Sequence, residues 1–171
     1  MRSARHGEVR AHIDAPPQKV WALLANLDQM AQWSPECYRV QWLDGASSPA
    51  TPGARFKGWN RFSWMRWTMT CQVKTAEPGR ELAFSTIQKD RELVRWRYLL
   101  EPANGGTDLI ESFQVIWLPF TARLGEDVLM RDRDRRREEA MRTTLNRIKD
   151  VAEGARTAAG YPRTTSTPPS Y

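Results

Sequence analysis

The chain has 171 residues, 40% hydrophobic and 27% charged, a composition that fits one globular domain whose core needs no disulfide staples, since about 150 ordered residues bury roughly 70% of their unfolded surface. A formal charge of +6 points toward nucleic acid or anionic membrane, but the densest basic run, Arg131 to Glu139, sets five arginines against four acids at helical spacing and reads as a solvated, ion-paired helix face, so no nucleic-acid partner is expected. The longest uncharged apolar stretch, Ser112 to Ala122, contains Pro119 and is too short to span a bilayer, and the polar start has no apolar signal core, so a cytoplasmic protein without stable membrane insertion is expected.

In chain order, Glu8 to Asp14 alternates with Val9, Ala11 and Ile13 on one face, which predicts a first strand. Ala15-Pro16-Pro17 ends it and opens a helix, because proline is tolerated in a first helical turn. Val20, Trp21, Leu23, Leu24 and Leu27 supply its apolar stripe. Asp28 is placed to cap a second short helix through Met30 and Trp33, which Ser34-Pro35 stops. The pattern then turns to strand: Tyr38, Val40 and Trp42 alternate with Arg39, Gln41 and Leu43. After a loop from Gly45 to Gly53, Ala54 to Arg61 places Phe56, Gly58 and Asn60 on one face, and Phe62 to Met65 forms an unusually apolar turn.

From Arg66 to Val73, Trp67, Met69, Cys71 and Val73 share one face, while Arg66, Thr68, Thr70 and Gln72 share the other. Glu77-Pro78-Gly79 is a turn, Leu82, Phe84 and Thr86 mark the next strand, and Gln88 to Arg91 is a polar hairpin connection. Val94, Trp96, Tyr98 and Leu100 then back onto Arg95 and Arg97 in a strand that ends at Pro102. Asn104-Gly105-Gly106 is a hairpin signal before a last strand from Thr107 to about Ile116. Pro119-Phe120 breaks the run, and a long helical segment follows, with Met141, Leu145, Ile148 and Ala152 on one stripe and Gly154 as its C-terminal cap. Residues 1–5 are expected to be flexible and 155–171 a disordered tail, leaving residues 6–154 as the domain.

A period of two with one apolar face predicts antiparallel strands covering a core on one side, and helices gathered on that side give an α+β layout with the long helix as lid. The apolar face carries wide aromatic rings, so a hollow able to hold a ligand is expected beneath the lid.

The residues at this point resemble the START-like superfamily, also called the SRPBCC or polyketide cyclase/dehydrase and lipid-transport family, over about residues 6–154. The carriers are Ala15-Pro16-Pro17-Gln18-Lys19-Val20-Trp21, Trp33-Ser34-Pro35-Glu36, Gly53 to Arg61, Arg66-Trp67, Glu77-Pro78-Gly79, Trp96-Arg97-Tyr98 and Gly106-Thr107. The resemblance implies a helix-grip (Bet v 1-like) fold: a curved seven-stranded sheet around the C-terminal helix, enclosing an apolar cavity. Its members bind lipids, sterols, plant hormones or polyketides, some are aromatase/cyclases, and a mycobacterial-type subgroup is assigned toxin or growth-inhibitory roles. Fold alone does not decide among these.

The expected cavity lining is Trp33, Phe56, Asn60, Trp67, Met69, Phe84, Trp96, Tyr98, Glu111, Phe113, Met141 and Leu145. Glu111 is the decisive polar candidate. Leu109, Glu111, Phe113 and Val115 share one face and Ile110, Ser112, Gln114 and Ile116 the other. If the first set faces inward, a carboxyl enters an apolar space, where it is protonated or hydrogen-bonded and able to orient a ligand or move a proton. If the second does, Glu111 is in water. Asn60 suits either a ligand carbonyl or a backbone group in the strand bend, and Trp33 with the Phe62 to Met65 turn either gates or simply caps the barrel end.

His6 and His12 have no Cys or carboxylate set at ligand spacing, and Cys37 and Cys71 show neither metal nor redox spacing, so no metal and no cofactor is expected. Three functions remain open. The first is a carrier or sensor of a hydrophobic small molecule, acting as monomer or homodimer. The second is an aromatase/cyclase or dehydratase in which Glu111 and Tyr98 would be catalytic; Arg61, Arg66, Arg95 and Arg97 are expected to point away from the cavity, which thins the enzyme case. The third is a toxin-like or regulatory protein acting through a partner.

Overall fold

The computed structural model describes residues 5–119 and 133–154. Its strands are β1 (His6–Ile13), β2 (Cys37–Trp42), β3 (Arg55–Phe62), β4 (Met65–Glu77), β5 (Glu81–Gln88), β6 (Arg91–Ala103) and β7 (Gly106–Val115). Its helices are α1 (Pro17–Ala25), a 3-10 turn (Leu27–Gln29), α2 (Met30–Trp33) and α3 (Arg133–Ala152). The strands form one antiparallel sheet in the order β1-β7-β6-β5-β4-β3-β2, so the chain closes by returning β7 against β1. This is an α+β helix-grip fold, with the short helices after β1 and the long helix laid on the concave face. Residues 1–4, 120–132 and 155–171 lie outside the described residues, and with them most of the expected flexible start, the break at Phe120 and the expected tail.

The hairpins follow from residues that accept positive φ. Lys89 and Asp90 (φ 49° and 62°) and Asn104 and Gly105 (φ 48° and 79°) turn the chain with the twist that antiparallel strands need. Gly106 is glycine for a different reason: a Cβ there would strike the Ile13 carbonyl, where the β6–β7 hairpin presses on the end of β1. Thr107 fastens the same corner by donating to the Ala15 carbonyl at 2.7 Å.

The stripe on α3 is buried as its spacing predicts: Met141, Leu145, Ile148 and Ala152 are each at most 2% exposed. Full burial of such a side chain stabilises by roughly 1.5–3 kcal/mol. The α3 backbone runs closest to β1, with further contacts to α1, α2 and β7, and stands farther from β3–β6. Large side chains from β3–β6, including Phe56, Phe84 and Tyr98, fill toward it.

Three expectations are corrected. Tyr38 does not join Val40 and Trp42 on the inner face. A bulge between Cys37 and Arg39 shifts the register, turning Cys37 inward and leaving Tyr38 between the guanidinium groups of Arg61 and Arg66 at 5.5 and 5.9 Å. Asp28 caps no helix; its carboxylate accepts from Ser48 Oγ at 2.6 Å and Trp42 Nε1 at 3.1 Å, tying the 3-10 turn to β2 and the following loop. The basic run is not wholly solvated. Arg135 pairs with Glu139, but Arg137 is 7% exposed with its guanidinium 5.3 Å from the Phe113 ring centre.

Candidate functional site

Tyr98 on β6 and Glu111 on β7 are direct cross-strand partners, and Val9 of β1 flanks Glu111 on the other side. Leu109, Glu111 and Phe113 are 0%, 3% and 2% exposed, so the carboxyl is on the concave face among apolar groups. Tyr98 Oη donates to Glu111 Oε1 at 2.8 Å. Glu111 Oε2 is buried and has no hydrogen-bond partner among the described residues.

The electrostatics follow from that burial. Loss of water pushes the Glu111 carboxyl up from 4.5 to about 8, against a smaller downward pull from the Tyr98 hydrogen bond. Burial first, and the neighbouring Glu111 charge second, hold the Tyr98 phenol well above its ordinary value. At neutral pH the carboxyl is therefore mainly protonated. Tyr98 satisfies one oxygen, and the other is left to donate to, or exchange a proton with, an oxygen placed against it.

Aromatic rings surround this pair. One step along the strands, Trp96 and Phe113 meet with ring centres 5.7 Å apart. On the same concave face, Phe84 is the cross-strand partner of Trp96, and Trp42, Phe56 and Phe84 form an edge-to-face chain at 5.6 and 5.3 Å. Of the residues singled out in the sequence, Trp33, Phe56, Phe84, Tyr98, Glu111, Phe113, Met141 and Leu145 are buried, while Asn60, Trp67, Met69 and Trp96 are half-buried. The half-buried set includes Asn60, Trp67 and Met69, which lie where the β3–β4 arm runs past the end of β5: the last β4–β5 pair is Thr70 with Ile87, and residues 65–69 continue without that neighbour.

Trp33 sits at the barrel end, where α2 meets α3. It is 3% exposed and its carbonyl accepts from Arg147 Nη1 of α3 at 3.3 Å. Beside it, a cleft of about 560 Å³ opens between the α2–β2 loop, the tip of the β3–β4 arm and the first turns of α3, with Pro35, Glu36, Phe62, Arg66, Arg136 and Thr143 in its walls. The arginines of the central strands stay outside, as expected: Arg95 binds Glu92 and Arg97 binds Glu81, each at 2.7 Å.

The expected lining omits Trp42 and Cys37, which the structure turns toward the core. Trp42 carried the right alternation; Cys37 was hidden by the bulge. His12 is engaged by Asp108 at 2.8 Å and Asp14 at 3.2 Å. Among the described residues no three His, Cys, Asp or Glu side chains are grouped to hold a metal, and no helix is long and apolar enough to cross a membrane.

The family model described as polyketide cyclase/dehydrase and lipid transport matches residues 4–153. Among solved structures, the Zhui aromatase/cyclase of a Streptomyces species is similar at 19% identity and a TM-score of 0.68, covering 92% of this chain and 99% of that one. The di-domain aromatase/cyclase StfQ of the steffimycin biosynthetic pathway is similar at 16% identity and a TM-score of 0.69, covering 89% of this chain and 51% of that one. A Polyketide_cyc-like protein of Corynebacterium glutamicum is 29% identical with a TM-score of 0.50, covering 90% of this chain and 88% of that one. A search of the curated proteins finds no match.

Proposed function

The chain belongs to the polyketide cyclase/dehydrase and lipid transport family, and from that premise we propose that it binds a hydrophobic small molecule, a lipid, polyketide or aromatic, between the sheet and α3, as a carrier or sensor. One observation carries the reading: a carboxyl 3% exposed, held by Tyr98 on one oxygen and unpartnered on the other among the described residues. Leaving a buried polar atom unsatisfied costs about 1–3 kcal/mol, and a ligand oxygen set against Glu111 Oε2 would recover it. In this reading Trp67, Met69, Trp96 and Phe113 form the wall next to the anchor, Phe56, Phe84, Met141 and Leu145 the floor, and Asn60 and Trp33 the end toward the cleft. The chain works in the cytoplasm without a cofactor, alone or as a homodimer.

Native mass spectrometry of the purified protein tests this. A co-purifying lipid or aromatic is expected, and Trp96→Ala should weaken an apolar fluorescent probe by at least about tenfold. A ligand-free mass together with unchanged probe affinity in Trp96→Ala would remove the interior as the binding site.

A second reading, an aromatase/cyclase or dehydratase, is favoured by a single feature: a carboxyl at about 8 beside a phenol is placed to exchange protons near neutral pH. Turnover of a model poly-β-ketone that collapses in both Glu111→Gln and Tyr98→Phe is the result that this reading requires.

A further inference from the structure

The three large hydrophobic side chains exposed among the described residues are Trp64 at 86%, Ile116 at 44% and Trp117 at 39%. All three sit at one end of the sheet. Trp64 is in the Ser63–Trp64 turn joining β3 to β4. Ile116 and Trp117 follow β7, and both of their N–H groups donate to the Leu93 carbonyl near the start of β6. The β5–β6 turn at Lys89 and Asp90 belongs to the same rim. Because β4 runs on for residues 65–69 without a β5 partner, Trp64 stands about 16 Å beyond the end of β5 at roughly 3.3 Å per residue.

Among the described residues, exposed cations outnumber carboxylates at this end. Of those residues, Arg61, Arg66, Lys89, Arg91 and Arg136 are exposed there, against Glu36, Asp90 and Glu138, while Glu139 pairs with Arg135 and Glu92 with Arg95. The cations are interleaved with rings: Arg91 lies 5.2 Å from the Trp117 ring centre and Arg136 4.8 Å from that of Phe62. At the opposite end, cations and carboxylates neutralise one another, as in Lys149 with Glu153 and Arg10 with Asp108 and Glu101. An exposed indole costs free energy in water, and solubility alone does not call for gathering every such group at one cationic rim. Indoles with flanking arginines suit the boundary between water and anionic lipid, where the ring is half-immersed and the guanidinium meets phosphate.

We propose that this end of the barrel docks on an anionic phospholipid surface, with Trp64 and Trp117 entering the interface and Arg61, Arg66, Arg91 and Arg136 facing the headgroups. The contact is peripheral: no described helix is inserted, and the attraction is part apolar area and part charge. The 560 Å³ cleft opens at the same rim, so docking would bring it against the bilayer. The docking itself needs no occupant in the interior, so it stands or falls separately from the ligand reading.

Flotation of the full chain with phosphatidylcholine vesicles, with and without phosphatidylserine, is the test. Wild type should float with the phosphatidylserine vesicles, and much less with pure phosphatidylcholine or in high salt. Trp64→Ser with Trp117→Ser should lower partitioning at least about tenfold, and Arg61→Gln with Arg66→Gln about fivefold per arginine. Arg80→Gln, at the other end and 78% exposed, should change nothing. All these positions are exposed, and an unchanged urea midpoint for each variant separates lost docking from lost folding. No flotation at low salt, or wild-type flotation of the tryptophan variant, overturns the proposal. So does retention on heparin without flotation, which would mark the rim as a site for an acidic macromolecule instead.

Discussion

Replacing Glu111 with Gln keeps the side chain's shape and an acceptor for Tyr98 but removes a titrating proton. In the folded chain burial raises this carboxyl from 4.5 to about 8; in the unfolded chain it returns to the ordinary carboxylate range. Between those values the folded state holds a proton that the unfolded state has released, so stability falls as pH rises. The contribution is fully present below about pH 4.5 and exhausted above about pH 8. At roughly 1.4 kcal/mol per pH unit it is on the order of 3–5 kcal/mol over the window, the lower figure applying if water relaxes around the carboxylate. Urea unfolding followed by tryptophan fluorescence at several pH values between about 5 and 8 reads it directly. The wild-type stability should fall more steeply than that of Glu111→Gln by about 1 kcal/mol per pH unit. His12, raised chiefly by its hydrogen bond to Asp108, has the same sign, since its contribution is also lost as pH rises, but it is present in both chains and cancels in the difference. Parallel curves for the two proteins would refute the buried, protonated carboxyl.

Tyr98→Phe removes the hydrogen bond that pulls Glu111 downward, so the carboxyl should titrate higher still by carbon-13 NMR, with a stability loss of about 1–3 kcal/mol for the second unsatisfied oxygen; a carboxyl that titrates lower contradicts the assignment. Leu145→Ala, at 1% exposure under the sheet, should cost about 2–5 kcal/mol in the same urea assay, and a loss under about 1 kcal/mol would mean that α3 does not pack as described. For His12, Asp108→Asn should bring the imidazole down toward its ordinary 6.5, because Asp108 supplies the largest upward cause; an unmoved proton NMR titration would assign the rise to Asp14 instead.

Much of the architecture is legible in the sequence because one face of each strand is apolar and the other wet. The alternation through Met69, Cys71 and Val73, and the helical stripe of Met141, Leu145, Ile148 and Ala152, each lead to the face the structure buries. Glu111 resisted such reading for a physical reason: both faces of β7 are half apolar, and Ile110 on the outer face is itself 6% exposed. Its direction is fixed by what pairs on either side: Tyr98, across the β6–β7 hairpin, and Val9, on a strand far away in sequence. The inward turn of Cys37 depends on a bulge without a Gly or Pro to mark it. Arg137 was hidden by charge counting, which treats an arginine as solvated, whereas its guanidinium covers Phe113. The rim of exposed indoles was likewise invisible, because it joins a turn, a hairpin and the end of β7 that only the sheet order brings to one end.

In the proposed function an apolar molecule binds between the concave sheet and α3, against Glu111. Intermolecular NOEs between a bound apolar probe and carbon-13-labelled methionine methyls locate that molecule. Contacts to Met69 on β4 and Met141 on α3 are the expected result. A probe that binds yet touches only Met65 or Met30, near the barrel end, would contradict an interior site.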